Sequence, residues 1–160
     1  MHYRLTLENS YFTRFALTLL CSLLITSSYG QNLFPEKFKG CVTDQFSLES
    51  DSISAKVDNQ TLIAIVTHAL NEEETKSAIG TLALQIIVDR NGQSCLLSVK
   101  NDTNLKTKKL RLKENIDSRL LWEKVDNKVA AVVVLRFSSG TISVKRLGMN
   151  GKRGVHELRP

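Results

Sequence analysis

The stretch TLALQIIVDRNGQSCLLSV, at residues 81–99, decides the fold of this chain. From residue 81 to residue 88 every second side chain is apolar, which is the pattern of a β-strand with one buried face. Asn91 and Gly92 then supply a pair of residues that tolerate the left-handed backbone of a tight turn. A second strand returns over residues 93–99, and its residues on one face are Cys95, Leu97 and Val99. The sequence therefore predicts a β-hairpin.

A second hairpin is predicted further along the chain. Residues 129–137 are rich in β-branched side chains and predict a third strand. Residues 138–140 predict its turn, and residues 141–147 predict a fourth strand whose Ile142 and Val144 point inward. Ahead of this hairpin, apolar residues at helical spacing lead to the single Trp122 and predict a helix: Leu112, Ile116, Leu120 and Leu121.

A first helix precedes the first hairpin. Asn59 offers an N-cap, and apolar residues then recur along one helical stripe: Leu62, Ile65, Val66 and Ala69. The polar residues of the strands fall on the face opposite the apolar one, which the helices leave open: Gln85, Ser94, Ser98 and Arg136. The order of elements predicts a two-layer α+β domain over residues 59–148, with an antiparallel three- to four-stranded sheet and two helices on one face. Residues 31–58 are predicted to be an irregular extension, and residues 149–160 a flexible basic tail.

The N-terminus has the features of a secretory signal. Arg4 and Arg14 precede a largely apolar run from Phe15 to Ile25, which is far short of the roughly twenty residues that cross a bilayer. Small residues up to Gly30 predict cleavage before residue 31 and a periplasmic or secreted product. The alternative is a retained N-terminal anchor. Only in that case do we expect association with a membrane.

Composition limits the size and class of the protein. The 160 residues suffice for one domain, and 42% hydrophobic with 24% charged residues exclude a disordered or multi-span membrane protein. Removal of residues 1–30 leaves two cysteines, Cys41 and Cys95, and an even number in an exported chain predicts a disulfide. The alternative is two buried thiols that never meet.

The chain is basic, with a net charge of +6. One basic patch consists of Lys106, Lys108, Lys109, Arg111 and Lys113. Such a patch can attract an anionic surface, but export and the scarcity of aromatic residues argue against nucleic acid as a partner. A solvated basic surface is the simpler interpretation.

Residues for catalysis are scarce. The exported part contains only His68 and His156, and neither lies in a motif with a nucleophile. Glu72, Glu73 and Glu74 are adjacent and predict a solvated face, because neighbouring positions project in different directions. No phosphate-binding loop, dinucleotide motif or metal-ligand spacing occurs in the sequence. We therefore expect no enzymatic activity, no metal and no cofactor.

The run from Leu62 to Val144 resembles the TonB C-terminal domain family, and three pieces of it carry the resemblance. Residues 77–81 are similar to the family's entry into its first strand, and residues 84–92 to its strand and Asp-x-(Asp/Asn)-Gly turn. Residues 121–137 are similar to the Trp that closes the family's helix and to its last central strand. The resemblance implies a non-catalytic domain of the cell envelope that binds another protein, such as a segment of an outer-membrane receptor. Because Pro35 and Pro160 are its only prolines, we expect neither a Pro-rich spacer nor energy transduction.

The resemblance also implies a mode of binding, in which an extended peptide adds to an edge of the sheet. The candidate edge is the fourth strand, with Thr141, Ser143 and Lys145 pointing outward. An ordinary hairpin protected by charge is the alternative at this position, and a homodimer stays open. The second candidate function is that of a small secreted basic protein, either inhibitor-like or binding an anionic surface.

Overall fold

The hairpin predicted over residues 81–99 is confirmed and forms the centre of a larger sheet. The structure is a computed structural model that describes residues 32–159. The helices in this part of the chain are α1 (Asn59–Val66), α2 (Glu72–Ser77), α3 (Thr107–Leu110) and α4 (Leu112–Arg119). The strands are β1 (Glu36–Lys37), β2 (Ser47–Leu48), β3 (Ile79–Val88), β4 (Ser94–Thr103), β5 (Val129–Ser138), β6 (Thr141–Asn150) and β7 (Gly154–Leu158).

The strands join into one sheet. Its order is β1-β4-β3-β5-β6-β7, and all of these neighbours pair antiparallel. The remaining strand, β2, runs parallel to the first residues of β5, where Ser47 pairs with Val129. The predicted α+β class with an antiparallel sheet is confirmed. The predicted number of strands is wrong, because residues 32–159 form seven strands instead of three to four.

The additional strands lie in segments that were predicted to be irregular. β1 and β2 have two residues each and β7 has five, so none is long enough to show an alternating pattern in the sequence. They form by pairing with longer strands, which is a tertiary effect. β7 follows a turn in which the Asn150 side-chain oxygen accepts the backbone N–H groups of Lys152 at 3.1 Å and Arg153 at 2.6 Å. The segment expected to be a flexible tail thus contributes a strand.

One face of the sheet packs against α1 and α4. The buried residues of these two helices are Leu62, Val66, Leu112, Asn115 and Ile116. Asp58 caps α1 in place of the predicted Asn59, since its Oδ2 accepts the N–H of Thr61 at 2.8 Å. Beyond α4, Trp122 is buried, and its Nε1 donates to Ser94 Oγ at 2.7 Å. The face with the helices, called here the helix face, therefore holds the main core.

The opposite face of the sheet is covered by the N-terminal extension. Gln85 is 1% exposed and Ser98 is 0% exposed, so the prediction of polar residues facing solvent is wrong at these positions. Gln85 Oε1 accepts a hydrogen bond from Ser98 Oγ at 2.6 Å and another from the N–H of Leu33 at 2.8 Å. Ser98 Oγ also accepts the N–H of Phe34 at 3.2 Å. Backbone of the extension thus satisfies polar groups that it removes from water.

A β-bulge changes which residues of β4 face the helices. The register shifts between Gln85 and Ile86, whose partners on β4 are Ser98 and Leu96. Leu97 is the extra residue, and such an insertion reverses the alternation beyond it. The prediction that Cys95, Leu97 and Val99 share a face is therefore wrong. Val99 belongs to the core of the helix face, whereas Cys95 and Leu97 pack on the opposite face.

The predicted disulfide between Cys41 and Cys95 is confirmed. Its two Cα atoms are 5.6 Å apart, and the bridge joins residues separated by 54 positions. Cys95 lies on the face covered by the extension, and Phe46, Leu48 and Cys41 pack there around the buried Ile87 and Leu97. The bridge therefore fixes the extension to the central hairpin.

Candidate functional site

The candidate edge predicted at residues 141–147 is covered only in part. β7 pairs with residues 146–150 of β6, from Arg146 opposite Leu158 to Asn150 opposite Gly154. Residues 141–145 pair with β5 on one side, and no other strand of the described chain pairs with their outer side. We call residues 141–145 the open half of β6.

The turn before β6 determines which backbone groups point outward. Ser139 and Gly140 have φ angles of 44° and 91°, as in a two-residue turn of mirror-image type, and Ser138 pairs with Thr141 across it. The closing pair of such a turn is hydrogen-bonded, and hydrogen-bonded pairs alternate along an antiparallel ladder. The N–H and C=O groups of Ile142 and Val144 therefore point away from β5. These two residues carry the unpaired backbone groups of the open half.

The residues named from the sequence lie beside these groups. Thr141, Ser143 and Lys145 are exposed. They belong to the hydrogen-bonded pairs of the ladder, so their backbone groups face β5. The ammonium group of Lys145 forms an ion pair with Glu157 of β7 at 2.7 Å. Ile142 and Val144 pack against the core with their side chains and offer their backbone at the edge. The alternation of the sequence predicts which side chains point outward. Which residues point their N–H and C=O groups outward depends on the type of the turn.

A groove of about 760 Å³ adjoins the open half at Val144 and Lys145. Its other walls are residues 52, 53 and 56–59, which lead into α1, and residues 157–159 at the end of β7. Its apolar lining consists of Ile53, Val57, Val144 and Leu158, and its charged lining of Lys56, Asp58, Lys145, Arg146, Glu157 and Arg159. The groove thus combines an unpaired strand edge with apolar and charged side chains.

A buried ion pair supports one wall of the groove. Arg146 donates to the carboxylate of Glu49 and, through a second nitrogen, to the carbonyl oxygen of Ala55 at 2.8 Å. Glu49 also accepts the N–H groups of Ser54 and Ala55, each at 2.9 Å. The guanidinium lies 5.0 Å from the centre of the Trp122 ring. Burial lowers the pKa of Arg146, while the charge of Glu49 opposes that shift.

The ion pair holds the segment 49–55 against β6. Met149 donates its N–H to the carbonyl oxygen of Glu49 at 2.9 Å. A Cβ atom at Gly148 would lie 2.3 Å from the carbonyl oxygen of Ser50, so only glycine permits this close approach. No local pattern signals this arrangement, because Glu49 lies in a segment that was predicted to be irregular.

The basic patch of residues 106–113 is largely neutralised. Lys109 pairs with Glu74, Arg111 with Glu114, and Lys113 with Asp117. The ammonium of Lys109 lowers the pKa of Glu74, mainly through its hydrogen bond to the carboxylate. Lys106 and Lys108 make no ion pair within residues 32–159. The structure therefore leaves little concentrated charge on this surface.

The two histidines lie in different elements of the fold. His68 is exposed just after α1, and His156 lies in β7 with its Nδ1 3.0 Å from the carbonyl oxygen of Gly154. Among residues 32–159, no cluster of three or more His, Cys, Asp or Glu side chains could hold a metal ion. The same residues contain no helix that is long and apolar enough to cross a membrane. The signal sequence predicted at residues 1–30 lies outside the described residues.

The chain matches no family model, no curated protein and no solved structure.

Proposed function

We propose that this protein is an exported, non-catalytic protein of the cell envelope that binds an extended segment of a partner protein. The segment adds to β6 as a further strand at the open half, residues 141–145. The resemblance to the TonB C-terminal domain family implies strand addition of this kind and supports this edge as the place where it occurs. The disulfide between Cys41 and Cys95 is consistent with an oxidising compartment outside the cytoplasm.

The observation that carries the proposal is the partial cover of β6. An unpaired edge with a row of N–H and C=O groups can recruit an extended peptide. β7 ends its pairing at Arg146, which leaves Ile142 and Val144 with outward backbone groups. A peptide that adds as a strand forms main-chain hydrogen bonds with these two residues. The groove beside Val144 receives side chains of the same peptide.

The features around the edge limit unwanted pairing. Lys145 and Glu157 place charges beside the open half, and charged residues at an edge discourage aggregation between copies. The open half is also short, with only two outward-facing residues. These features favour a specific and reversible contact with a partner over edge-to-edge aggregation between copies.

The test is titration of the protein with three capped eight-residue peptides in which valine alternates with threonine, glutamate or lysine. We expect at least one of them to shift the backbone amide signals of Ile142 and Val144 in nuclear magnetic resonance spectra. Shifts confined to other parts of the chain, or no shifts with any of the peptides, would contradict the proposal.

A pair of variants at one position separates backbone from side chain. Val144→Pro removes the outward N–H group, whereas Val144→Ala shortens the side chain and keeps that group. We expect Val144→Pro to abolish peptide binding and Val144→Ala to retain it. Circular dichroism establishes that each variant is folded. Equal binding by the two folded variants would exclude a hydrogen bond to this N–H.

A further inference from the structure

The groove beside the open half of β6 has two kinds of lining. Ile53, Val57 and Val144 provide apolar surface next to the strand edge. Side chains of an added strand alternate between the two faces of a sheet, so every second one would lie on the helix face, to which Val144 and Val57 belong. Apolar side chains fit this row.

The charges of the groove are not balanced within it. Asp58 caps α1 through a hydrogen bond of 2.8 Å to the N–H of Thr61, and Glu157 is paired with Lys145 at 2.7 Å. Lys56 and Arg159 make no ion pair within the described part of the chain. The groove therefore presents two cations outside ion pairs of the described chain, Lys56 and Arg159, against one such carboxylate, Asp58.

The remaining face of the open half carries one ion-paired cation, Lys145, and one cation outside ion pairs of the described residues, Arg136. Lys145 is exposed there, and so is Arg136, which stands opposite Ser143 on β5. Arg136 likewise forms no ion pair among residues 32–159. The second row of side chains of an added strand would project on this face directly beside Thr141, Ser143 and Lys145, with Arg136 one strand further away. Opposite charges on adjacent strands stabilise a pair, and like charges destabilise it.

From this arrangement we infer that the partner of the groove is an acidic extended segment, in which carboxylate side chains alternate with apolar ones. This inference rests on the proposed function, because it specifies which peptide adds to the open half of β6. The apolar row packs against Val57 and Val144, and the acidic residues approach Lys56, Arg159 and the exposed cations beside the edge. Charge complementarity of this kind confers specificity and speeds association.

The three peptides of the titration also test the inference. We expect the valine–glutamate peptide to bind about tenfold more tightly than the valine–threonine peptide, and the valine–lysine peptide to bind most weakly. The advantage of the acidic peptide should decline as salt is raised, because these charges are exposed to solvent. Equal affinities of the acidic and neutral peptides would overturn the inference while leaving the proposed function intact.

Two double variants identify the responsible cations. Lys56→Gln with Arg159→Gln removes the two groove cations that form no ion pair within the described residues. We expect this double variant to lower the affinity for the valine–glutamate peptide severalfold without changing the affinity for the valine–threonine peptide. Lys106→Gln with Lys108→Gln is the matched control, since it removes the same charge from the basic patch on and beside α3. Equal effects of the two double variants would show that net charge, not the groove, selects the peptide, and would overturn the inference. Failure of every peptide to shift Ile142 and Val144 overturns the proposed function and the inference together.

Discussion

Arg146 and Glu49 show how single residues connect the extension to the sheet. Arg146 faces the helices from β6, and Glu49 follows β2 in the extension. Both side chains are almost fully buried, so each charge depends on the other and on the backbone groups around it. A buried charge without its partner costs far more than an exposed one. The pair is thus a strong determinant of where the segment 49–55 lies.

We predict that Arg146→Met destabilises the protein by about 3–5 kcal/mol, because it leaves the Glu49 carboxylate buried without a cation. Adding Glu49→Leu to this variant should recover part of the loss, since a pair of apolar residues carries no desolvation cost. Chemical denaturation followed by circular dichroism measures both changes. Arg136→Met, at an exposed position of β5, serves as the control and should change stability by less than about 0.5 kcal/mol. A similar small effect of Arg146→Met would contradict this account of the ion pair.

Single residues also determine which features of the fold could be predicted from the sequence. Gly92 has a φ angle of 83°, and a Cβ atom there would lie 2.1 Å from the carbonyl oxygen of Trp122, so the turn requires glycine at this position. Asn91, the other residue of the predicted pair, does not have a positive φ angle. The bulge at Leu97 was not predictable, because Leu96 and Leu97 are both apolar and either could face the core. The partnership of Glu49 with Arg146 joins residues 97 positions apart, and nothing local signals it.

At the scale of elements, the hairpin of β5 and β6 sets the geometry of the open half. Its turn holds Ser139 at a φ angle of 44°, a backbone region that residues with a Cβ atom adopt at a cost. Gly140, at 91°, adopts a similar region without that cost. The conformation of these two residues directs the N–H and C=O groups of Ile142 and Val144 away from β5.

We expect Ser139→Gly to stabilise the protein by about 0.5–1 kcal/mol, because glycine relieves the left-handed conformation at this position. Gly140→Ala should destabilise it by a comparable or larger amount for the opposite reason. Chemical denaturation monitored by the fluorescence of the single Trp122 measures both. A loss of stability in Ser139→Gly would indicate that the turn is not of this type.

The long strands were predictable and the short ones were not. β3 and β5 each have ten residues with sustained apolar or β-branched character, which is a strong local signal. β7 has five residues and forms only because β6 is present to pair with it. The extent of the open half depends on where β7 stops. The sequence therefore indicated the candidate edge but not which half of it is open.

At the scale of the whole molecule, the extension forms a second cover on the sheet. The sequence predicted helices on one face and solvent on the other, because the aromatic residues of the extension are scattered and show no period. In the structure Phe46 and Leu48 pack against Ile87 and Leu97, and the disulfide between Cys41 and Cys95 closes this contact. The cysteine count was the one sequence feature that pointed to the connection.

Replacing both cysteines, as Cys41→Ser with Cys95→Ser, should destabilise the protein by up to ~4 kcal/mol, because the bridge closes a long loop in the unfolded chain. We further expect the amide protons of Leu33 and Phe34 to exchange faster in this variant, since the extension is then held only by hydrogen bonds and apolar contacts. Thermal denaturation and hydrogen exchange measure the two effects. Unchanged stability, with unchanged exchange at these residues, would mean that the bridge does not secure the extension.

The most direct test of strand addition is amide hydrogen exchange along β6, measured with and without the valine–glutamate peptide. In the protein alone, Ile142 and Val144 should exchange about tenfold or more faster than Ser143 and Lys145, whose N–H groups bond to β5. With the peptide bound, the exchange of Ile142 and Val144 should slow to that of their neighbours. Slow exchange at Ile142 and Val144 in the protein alone, or fast exchange that the peptide leaves unchanged, would contradict an open edge that accepts a further strand.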